Sequence, residues 1–178
     1  MKSENPLISV IMNCHNGEKY LKESIGSVLN QTYENIELIF FDNQSNDNSE
    51  KIVKNFQDNR IKYFKSEKLL KLYDARNVAI KYSRGDLISF LDTDDIWMPT
   101  KLQKQVIFFL KNEKFKMVYS NCFILKDKKQ DIYIKETRSK ENITQELLNQ
   151  YKIPILTVML KKDIFERNQF NKNYEIIG

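Results

Sequence analysis

The sequence of 178 residues is poor in glycine, proline and cysteine, with 4, 3 and 2 copies. Cys14 and Cys122 are too few and too far apart for a disulfide framework or a zinc site, which favours a reducing cytoplasm. The glycine-rich phosphate motifs G-x-x-x-x-G-K-[ST] and G-x-G-x-x-G do not occur. Their absence disfavours P-loop and dinucleotide-binding proteins, so any phosphate recognition has to be metal-based.

Long hydrophobic runs are also missing. No apolar run approaches the roughly 20 residues that a membrane span requires. The N-terminus lacks the apolar core of a signal peptide. We therefore expect a soluble, cytoplasmic protein, and a peripheral contact with the inner face of a membrane stays open.

Charge of one sign does not dominate the chain. The 29 basic and 24 acidic residues give a net charge of +5 and are interspersed, which predicts a solvated, lysine-rich surface. A phosphate-bearing substrate or an anionic membrane would also suit this charge. We expect no nucleic-acid partner, because neither a recognition helix nor a pattern of stacking aromatics stands out. The hydrophobic fraction of 41% indicates a folded globular domain.

Apolar runs alternate with helical patterns in the first two thirds of the chain. Strands are predicted at residues 7–12, 36–41, 61–64 and 87–91, and helices at 20–30, from a capping box at 47–50, at 75–82 and after Pro99. This alternation predicts an α/β fold with a mostly parallel sheet and right-handed crossovers. The last of these helices should turn Leu102, Val106, Phe109 and Leu110 inward.

The pattern changes after residue 116. Strands are predicted at 117–125 and 132–135 around a polar turn at 126–131, followed by a helix at 142–150 and a strand at 155–160. No repeat or low-complexity linker divides the chain. We therefore predict one domain, with a nucleotide-binding half at about 1–112 and the start of a smaller, mixed half at about 113–178.

The most informative feature is a cluster of acids at the end of a buried strand. The apolar run at 87–91 is followed at once by Asp92, Asp94 and Asp95. Carboxylates packed together repel one another and resist burial, and a divalent cation relieves both costs. Hard oxygen ligands suit Mg²⁺ or Mn²⁺, so we predict a metal held by Asp94 with Asp92 or Asp95 assisting. Asp95 can instead cap the following turn.

Polar side chains also follow the first two predicted strands. The first strand ends at Asn13-Cys14-His15-Asn16-Gly17 and the second at Asp42-Asn43-Gln44-Ser45. In open α/β sheets, ligands bind outside the carboxyl ends of the strands. If these strands are parallel, both groups lie at one edge with the acidic cluster. We therefore predict a ligand site there that includes Asn13, His15, Asn16, Asp42 and Thr93.

The residue types at this edge suit a nucleotide diphosphate. A metal bound there would bridge diphosphate oxygens and neutralise the charge of a departing nucleotide diphosphate. Asp42 can accept hydrogen bonds from a base edge or a ribose, and His15 can stack on a nucleobase. Arg76 is a candidate phosphate partner, or else a member of a surface ion pair.

Three other residues have plainer interpretations. Cys14 is expected to be a small buried residue rather than a nucleophile, because no neighbour in the sequence lowers its pKa. Trp97 and Met98 are expected to pack in the core rather than to contact a sugar. The lysines between residues 126 and 129 are expected to be solvated.

Several motifs in sequence order resemble those of family-2 glycosyltransferases. They are Ile8-Ser9-Val10-Ile11-Met12-Asn13-Cys14-His15-Asn16-Gly17-Glu18-Lys19-Tyr20-Leu21, Ser27-Val28-Leu29-Asn30-Gln31-Thr32-Tyr33, Phe41-Asp42-Asn43-Gln44-Ser45-Asn46-Asp47, Ala75-Arg76-Asn77 and Leu91-Asp92-Thr93-Asp94-Asp95-Ile96-Trp97. The last is similar to the Asp-x-Asp motif of that family. The resemblance covers about the first 110 residues and is weaker from 154 to 178.

The resemblance implies a GT-A fold, a sugar-nucleotide donor, a Mg²⁺ or Mn²⁺ cofactor and inverting transfer to a glycan or lipid-linked acceptor in surface polysaccharide synthesis. His15 takes the place of a tyrosine that stacks on the base, and Asp42 that of an acid that contacts the base. Asp92 and Asp94 fall on the ribose and metal ligands. A UDP- or dTDP-sugar is the first expectation for the donor.

Two departures from the family pattern concern the nucleotide. His15 replaces tyrosine and Asn43 replaces a second aspartate, which leaves the identity of the nucleotide open.

A third departure concerns the catalytic base. The family's general base lies in an acidic motif just beyond a segment like 173–178, and this sequence ends at Gly178. We therefore expect the base to lie beyond Gly178 and the chain to be an enzyme truncated before it, with Glu175 a poor substitute. A sugar nucleotidyltransferase and a catalytically incomplete nucleotide-sugar-binding module are the alternatives.

Overall fold

The computed structural model describes residues 4–126, 129–132, 153–171 and 173. Its strands are β1 (Ile8–Cys14), β2 (Ile36–Asp42), β3 (Ile61–Lys65), β4 (Leu87–Phe90), β5 (Met117–Tyr119), β6 (Phe123–Lys126), β7 (Lys129–Ile132) and β8 (Val158–Lys161). Its α-helices are α1 (Leu21–Leu29), α2 (Ser49–Asn55), α3 (Leu72–Lys81) and α4 (Lys101–Lys111). Short 3-10 helices span Ile155–Thr157 and Lys162–Glu166.

The main sheet confirms the predicted α/β architecture. Its strand order in the described part of the chain is β3-β2-β1-β4-β8-β5. The first four strands of this order pair in parallel, whereas β8 runs antiparallel to both β4 and β5. The parallel strands are joined through α1, α2 and α3, which is the crossover connection that parallel pairing requires.

Each face of the sheet packs against its own set of helices. On one face, Val10 and Met12 of β1 join a core formed with apolar residues of α1, α2 and α4. On the other face, Ile11 packs with Ala75 and Ala79 of α3. Since successive side chains of a strand point to opposite faces, this alternation decides which helices each residue at the strand ends can meet.

The second half of the chain differs from the prediction at several boundaries. The predicted strand at 117–125 is two strands, because β5 pairs with β8 whereas β6 pairs with β7. The predicted turn at 126–131 is too long, since Lys126 already pairs with Lys129. The predicted strand at 155–160 begins as a 3-10 helix, in which Thr157 N donates to Pro154 O at 3.0 Å. Residues 133–135 and the predicted helix at 142–150 lie outside the described residues.

Two apolar residues predicted to face the core are exposed. Leu110 of α4 is 44% exposed, whereas Leu102, Val106 and Phe109 are buried as expected. Met98 is 65% exposed, while its neighbour Trp97 is buried and donates from Nε1 to Leu156 O at 2.9 Å. Among the described residues, none of the helices has the length and apolar character needed to cross a bilayer.

Candidate functional site

The carboxyl ends of β1, β2 and β4 meet at one edge of the sheet. Cys14 at the end of β1 is opposite Asp42 at the end of β2, and Ile11 is opposite Phe90 of β4. All three strands are parallel, so the polar segments that follow them emerge side by side. The juxtaposition predicted from the sequence is confirmed by this register.

Hydrogen bonds fasten the loop after β1 to the loop after β2. Asn16 N donates to Ser45 Oγ at 3.0 Å, and Asn46 N donates to Asn16 Oδ1 at 2.8 Å. Gly17 N donates to Ser49 Oγ at 3.0 Å. Asn16 has a φ of 57°, a left-handed conformation that asparagine tolerates better than most residues. Asn16 therefore shapes the loop through its own backbone and side chain.

The capping box predicted at residues 47–50 is not formed. Glu50 pairs with Lys54 and Lys65 instead of reaching back to the start of α2. Asp47 Oδ1 accepts from Ser49 N at 2.9 Å, and Glu18 Oε2 accepts from Asn48 N at 2.9 Å. Glu18 N in turn donates to Asp47 Oδ2 at 2.9 Å, so the start of α2 is held by one side chain of its own loop and one of the preceding loop.

His15 is exposed at this edge and anchored through one ring nitrogen. Its Nδ1 lies 2.9 Å from the carbonyl oxygen of Asn43. A carbonyl can only accept, so Nδ1 carries the hydrogen, and Nε2 of the neutral ring is an acceptor. Asn43 is itself fixed, because its side-chain amide exchanges two hydrogen bonds with the backbone of Leu70, at 2.8 and 2.9 Å. The orientation of the imidazole is therefore fixed by this hydrogen bond, while the ring itself remains exposed to solvent.

Asp42 is completely buried and both of its carboxylate oxygens are occupied. Oδ1 accepts from Ser45 N at 2.7 Å and closes the turn after β2. Oδ2 accepts from the Tyr63 hydroxyl at 2.6 Å. Burial, followed by the hydrogen bond and charge of Asp42, raises the pKa of Tyr63. In this arrangement Asp42 shapes the loop, and its direct contact with a base or ribose stays a prediction.

Asp92, Thr93, Asp94 and Asp95 form a tight turn in which Asp95 N donates to Asp92 O at 3.2 Å. This acidic turn touches the loop after β1. A Cβ added to Gly17 would lie 2.9 Å from Cys14 Sγ and 3.2 Å from Thr93 Cβ. Glycine is required at position 17 because the two loops approach so closely there.

Arg76 forms an ion pair, as one of its two interpretations expected, but its own side chain is buried rather than at the surface. Its side chain is 4% exposed, against 33% for Asp92. Nη2 donates to Asp92 Oδ1 at 2.8 Å and to Oδ2 at 3.1 Å. The guanidinium carbon also lies 6.0 Å from the Tyr73 ring and 5.9 Å from the Phe170 ring. Contact of Arg76 with a phosphate stays a prediction.

The acidic turn has the electrostatic character expected of a cation site. Burial, with the charges of Asp92 and Asp94, raises the pKa of Asp95 to about 6. Asp94 is exposed and makes no hydrogen bond or ion pair with the described residues. Within those residues no three His, Cys, Asp or Glu side chains converge on one point. Mg²⁺ commonly uses one or two carboxylates together with substrate phosphates, and Asp94 with Asp92 fits that donor set.

Asn13 and Cys14 are the last two residues of β1. Cys14 is 2% exposed and burial raises its pKa, which confirms that it is a small buried residue. Asn13 Nδ2 is buried and has no hydrogen-bond partner among the residues that the structure describes. An unsatisfied buried donor is costly, and a ligand acceptor would relieve that cost.

The general base of the resemblance has no counterpart that can be placed at this site. Glu175 and Gly178 both lie outside the described residues, which end at residue 173. The expectation that the base follows Gly178 therefore stays a prediction, as does the minor role given to Glu175.

Sequence reasoning did not predict the roles of three residues at this site, namely Tyr63, Asn77 and Phe170. The Tyr63 hydroxyl donates a hydrogen bond to the Asp42 carboxylate, and Asn77 exchanges two hydrogen bonds with the backbone of Phe170. Asn77 had one signal in the sequence, its place beside Arg76 in the Ala-Arg-Asn motif. Tyr63 had none beyond its place in a predicted strand.

Comparison with known proteins places the chain in a family. The profile of Glycosyl transferase family 2 matches residues 9–167. This chain belongs to glycosyl transferase family 2.

One curated relative is WfgD of Escherichia coli, named UDP-Glc:alpha-D-GlcNAc-diphosphoundecaprenol beta-1,3-glucosyltransferase. It is 38% identical over 164 residues, which are 92% of this chain and 64% of WfgD. The chain thus spans less than two thirds of that relative.

Two solved structures share the fold. TarS 1-349 of S. aureus in complex with UDP matches with a TM-score of 0.72 and 21% identity, covering 96% of this chain and 52% of TarS. The mannosyltransferase PcManGT of Pyrobaculum calidifontis, in complex with GDP-Man and Mn²⁺, matches with a TM-score of 0.70 and 16% identity, covering 94% of this chain and 48% of PcManGT. The fold is that of the GT-A glycosyltransferases.

Proposed function

We propose that this chain is the donor-binding portion of a metal-dependent, inverting glycosyltransferase. The enzyme transfers a sugar from a nucleotide diphosphate to a glycan or lipid-linked acceptor in surface polysaccharide synthesis. The observation that carries this proposal is the acidic turn at the parallel sheet edge, with Asp92 held by the buried Arg76. In this proposal residues 1–112 form the donor half, and residues 113–178 belong to the acceptor-side half.

Asp94 and Asp92 are the proposed ligands of Mg²⁺ or Mn²⁺. A cation bound there would neutralise the charge that develops on the leaving nucleotide diphosphate. Arg76 fixes the orientation of Asp92, and Asp94 offers a carboxylate that no described residue has engaged. The Mn²⁺ in the PcManGT complex supports the same choice of ion.

The loop after β1 is the proposed binding surface for the nucleoside. His15 presents an exposed ring whose orientation is set by the Asn43 carbonyl, so a base can stack on it. Asn13 brings an unpaired amide donor, while Asn16 and Thr93 lie where the loops meet. Asp42 contributes by closing the second loop. UDP or dTDP is the first candidate, and the UDP-Glc in the name of WfgD supports UDP.

The acceptor is proposed to be lipid-linked. The diphosphoundecaprenol acceptor in the name of WfgD supports this class. Such an acceptor lies at a bilayer surface, so we also propose a peripheral contact of this protein with the cytoplasmic face of a membrane.

Titration calorimetry with UDP, dTDP, GDP and ADP, each with and without Mn²⁺, tests the donor site. We expect Mn²⁺-dependent binding of UDP or dTDP, and at least a tenfold loss of affinity in Asp94→Ala, the low end for disturbing a metal site. Asp163→Ala is the matched control, because Asp163 is an exposed carboxylate paired with Lys116 away from this turn. Equal, metal-independent binding by all three proteins would refute the metal site.

The products separate the proposed reaction from nucleotidyl transfer. Sugar transfer releases a free nucleoside diphosphate, whereas nucleotidyl transfer releases pyrophosphate. Incubation of the full-length enzyme with a UDP-sugar and a lipid-linked acceptor should yield UDP without pyrophosphate. Pyrophosphate as the product would assign the chain to nucleotidyl transfer.

A further inference from the structure

The side chain of Asn77 holds the backbone of Phe170, which is 93 residues further along the chain. Asn77 Nδ2 donates to Phe170 O, and Phe170 N donates to Asn77 Oδ1, both at 2.9 Å. One amide side chain thereby satisfies both polar groups of a single residue, as a neighbouring strand would. This reciprocal pair, the Asn77 clamp, fastens the segment after the second 3-10 helix to α3.

The clamp fixes an aromatic ring beside Arg76 of α3. The Phe170 ring lies 5.7 Å from the Tyr73 ring at an interplanar angle of 5°, and 5.5 Å from the Phe90 ring at 88°. Both Phe170 and Tyr73 lie close to the Arg76 guanidinium, at 5.9 and 6.0 Å. These contacts explain why Arg76, a residue that is seldom fully buried, is only 3% exposed.

We propose that Asn77 is a positioning residue for the acidic turn. It acts in sequence: the clamp holds Phe170, Phe170 covers Arg76, and the covered Arg76 orients Asp92. The proposal deepens the proposed function, on which its ligand-binding part rests. Within the described part of the chain, the side chain of Asn77 makes no hydrogen bond with the acidic turn.

Burial of the guanidinium is the physical link between the clamp and the site. An ion pair strengthens as its surroundings become less polar, and stacking rings limit the rotamers available to an arginine. If Phe170 moves away, water reaches Arg76, the pair with Asp92 weakens and the Asp92 carboxylate gains freedom. Residues that orient metal ligands typically contribute 10–100-fold to metal affinity, so we expect about a tenfold effect from this indirect support.

Chemical modification tests the structural part without any ligand. Phenylglyoxal labels accessible guanidinium groups, and peptide mass spectrometry reads each arginine separately. Arg76 should be protected in the native protein, while the exposed Arg167 reacts and serves as an internal reference. Asn77→Ala should make Arg76 reactive. Asn168→Ala is the matched control, because Asn168 also donates to a backbone oxygen, Ile164 O at 2.8 Å, in the same segment but takes no part in the two hydrogen bonds of the clamp.

Nucleotide binding tests the functional part. The Mn²⁺-dependent affinity for UDP should fall about tenfold in Asn77→Ala and stay unchanged in Asn168→Ala. Phe170→Leu keeps the backbone clamp and the apolar contact with Phe90 but removes the flat ring. It should reproduce the loss, and adding Asn77→Ala to it should cause little further change, since residues acting through one contact are not additive.

The outcomes separate the inference from the proposed function. If Arg76 stays protected from phenylglyoxal in folded Asn77→Ala and in Phe170→Leu, the positioning role is overturned. It is also overturned if Arg76 becomes reactive but the affinity for UDP does not change. Circular dichroism establishes which variants fold, and Phe170→Leu carries the test if Asn77→Ala does not. Failure of the native protein to bind any nucleotide would refute the proposed function, and Arg76 labelling would then decide the clamp by itself.

Discussion

Arg76 Nη2 bonds both oxygens of the Asp92 carboxylate, at 2.8 and 3.1 Å. The arginine is buried by α3 and two aromatic rings, whereas the aspartate remains about one-third exposed at the sheet edge. One acid of the acidic turn is thus balanced by a fixed positive charge. Asp94 and Asp95 are left as the negative charges that a cation would offset.

Replacing Arg76 by lysine should weaken the proposed metal site while leaving the sheet intact. A lysine keeps the charge but lacks the planar group that lies beside the Tyr73 and Phe170 rings. We expect the Mn²⁺-dependent affinity for UDP to fall about 10–100-fold, as for other supports of metal ligands. Calorimetry measures this, with the exposed Arg167→Lys as the control. Equal affinities in both variants would show that charge alone suffices at position 76.

Tyr63→Phe should show how much the hydrogen bond from Tyr63 to Asp42 contributes to the stability of the fold. The variant leaves Oδ2 of a fully buried carboxylate without the only hydrogen-bond donor that the described residues give it. We expect the free energy of unfolding to fall by about 1–3 kcal/mol, the usual cost of an unsatisfied buried group. Urea denaturation measures it. Tyr82→Phe is the matched control, because the Tyr82 ring stacks on Phe64 and its hydroxyl makes no hydrogen bond with the described residues. Equal stability of the two variants would contradict the expectation.

Two glycines should respond to alanine in opposite directions. At Gly17 the new Cβ would meet Cys14 and Thr93 within 3.2 Å, so the loops must separate. Such overpacking typically costs about 1–3 kcal/mol. At Gly26, inside α1, the space within 4 Å is empty, and alanine should stabilise the helix by about 0.5–1 kcal/mol.

Thermal unfolding measures both glycine variants, and UDP affinity adds a second readout. Gly17→Ala should also weaken nucleotide binding, because the loop after β1 and the acidic turn are displaced from each other. Gly26→Ala should leave the affinity unchanged. A Gly17→Ala protein as stable as the native one would show that the loops separate without cost.

The sequence predicts the parallel strands and the acidic turn well, because both depend on local order along the chain. An apolar run bounded by polar residues is buried wherever it pairs, and three acids so close together need compensation in any fold. The Tyr63–Asp42 bond depends instead on strand register, which places Phe40 opposite Tyr63 and Asp42 opposite Lys65. No local pattern contains that register.

Local sequence patterns also fail to predict contacts between residues far apart in the chain and the burial of single residues. Asn77 and Phe170 are 93 residues apart, so only the folded sheet brings them together. Trp97 and Met98 are both large and apolar, yet Trp97 is buried against a segment 59 residues further on, where its Nε1 donates to Leu156 O, and Met98 is exposed. Leu110 of α4 likewise lies on a side of the helix that the neighbouring elements leave uncovered.

Glu37 should make the stability of the protein depend on pH. Its side chain is buried at the start of β2, where Ser9 Oγ and Arg84 N each donate to Oε1 at 2.6 Å and Arg84 Nε donates to Oε2 at 3.1 Å. Burial alone would raise the pKa of Glu37, but these hydrogen bonds and the charge of Arg84 outweigh burial and lower it. A carboxylate with a lowered pKa stabilises the folded state above its unfolded pKa, and this contribution is lost as the pH falls through the folded value.

Glu37→Gln should therefore lower the Tm at pH 7, by an amount that shrinks on acidification. The new amide sets an N–H against the Arg84 Nε–H, so a loss of roughly 2 kcal/mol, or on the order of 5 °C, is expected at neutral pH. The difference should start to shrink near 4.5, the ordinary pKa of glutamate, and the two melting curves should converge only once the pH is below the lowered folded pKa of Glu37. Glu67→Gln is the control, because Glu67 is exposed, and its Tm should equal that of the native protein at every pH. A Tm difference that stays constant between about pH 7 and pH 3 would mean that Glu37 stabilises the fold by its shape rather than its charge.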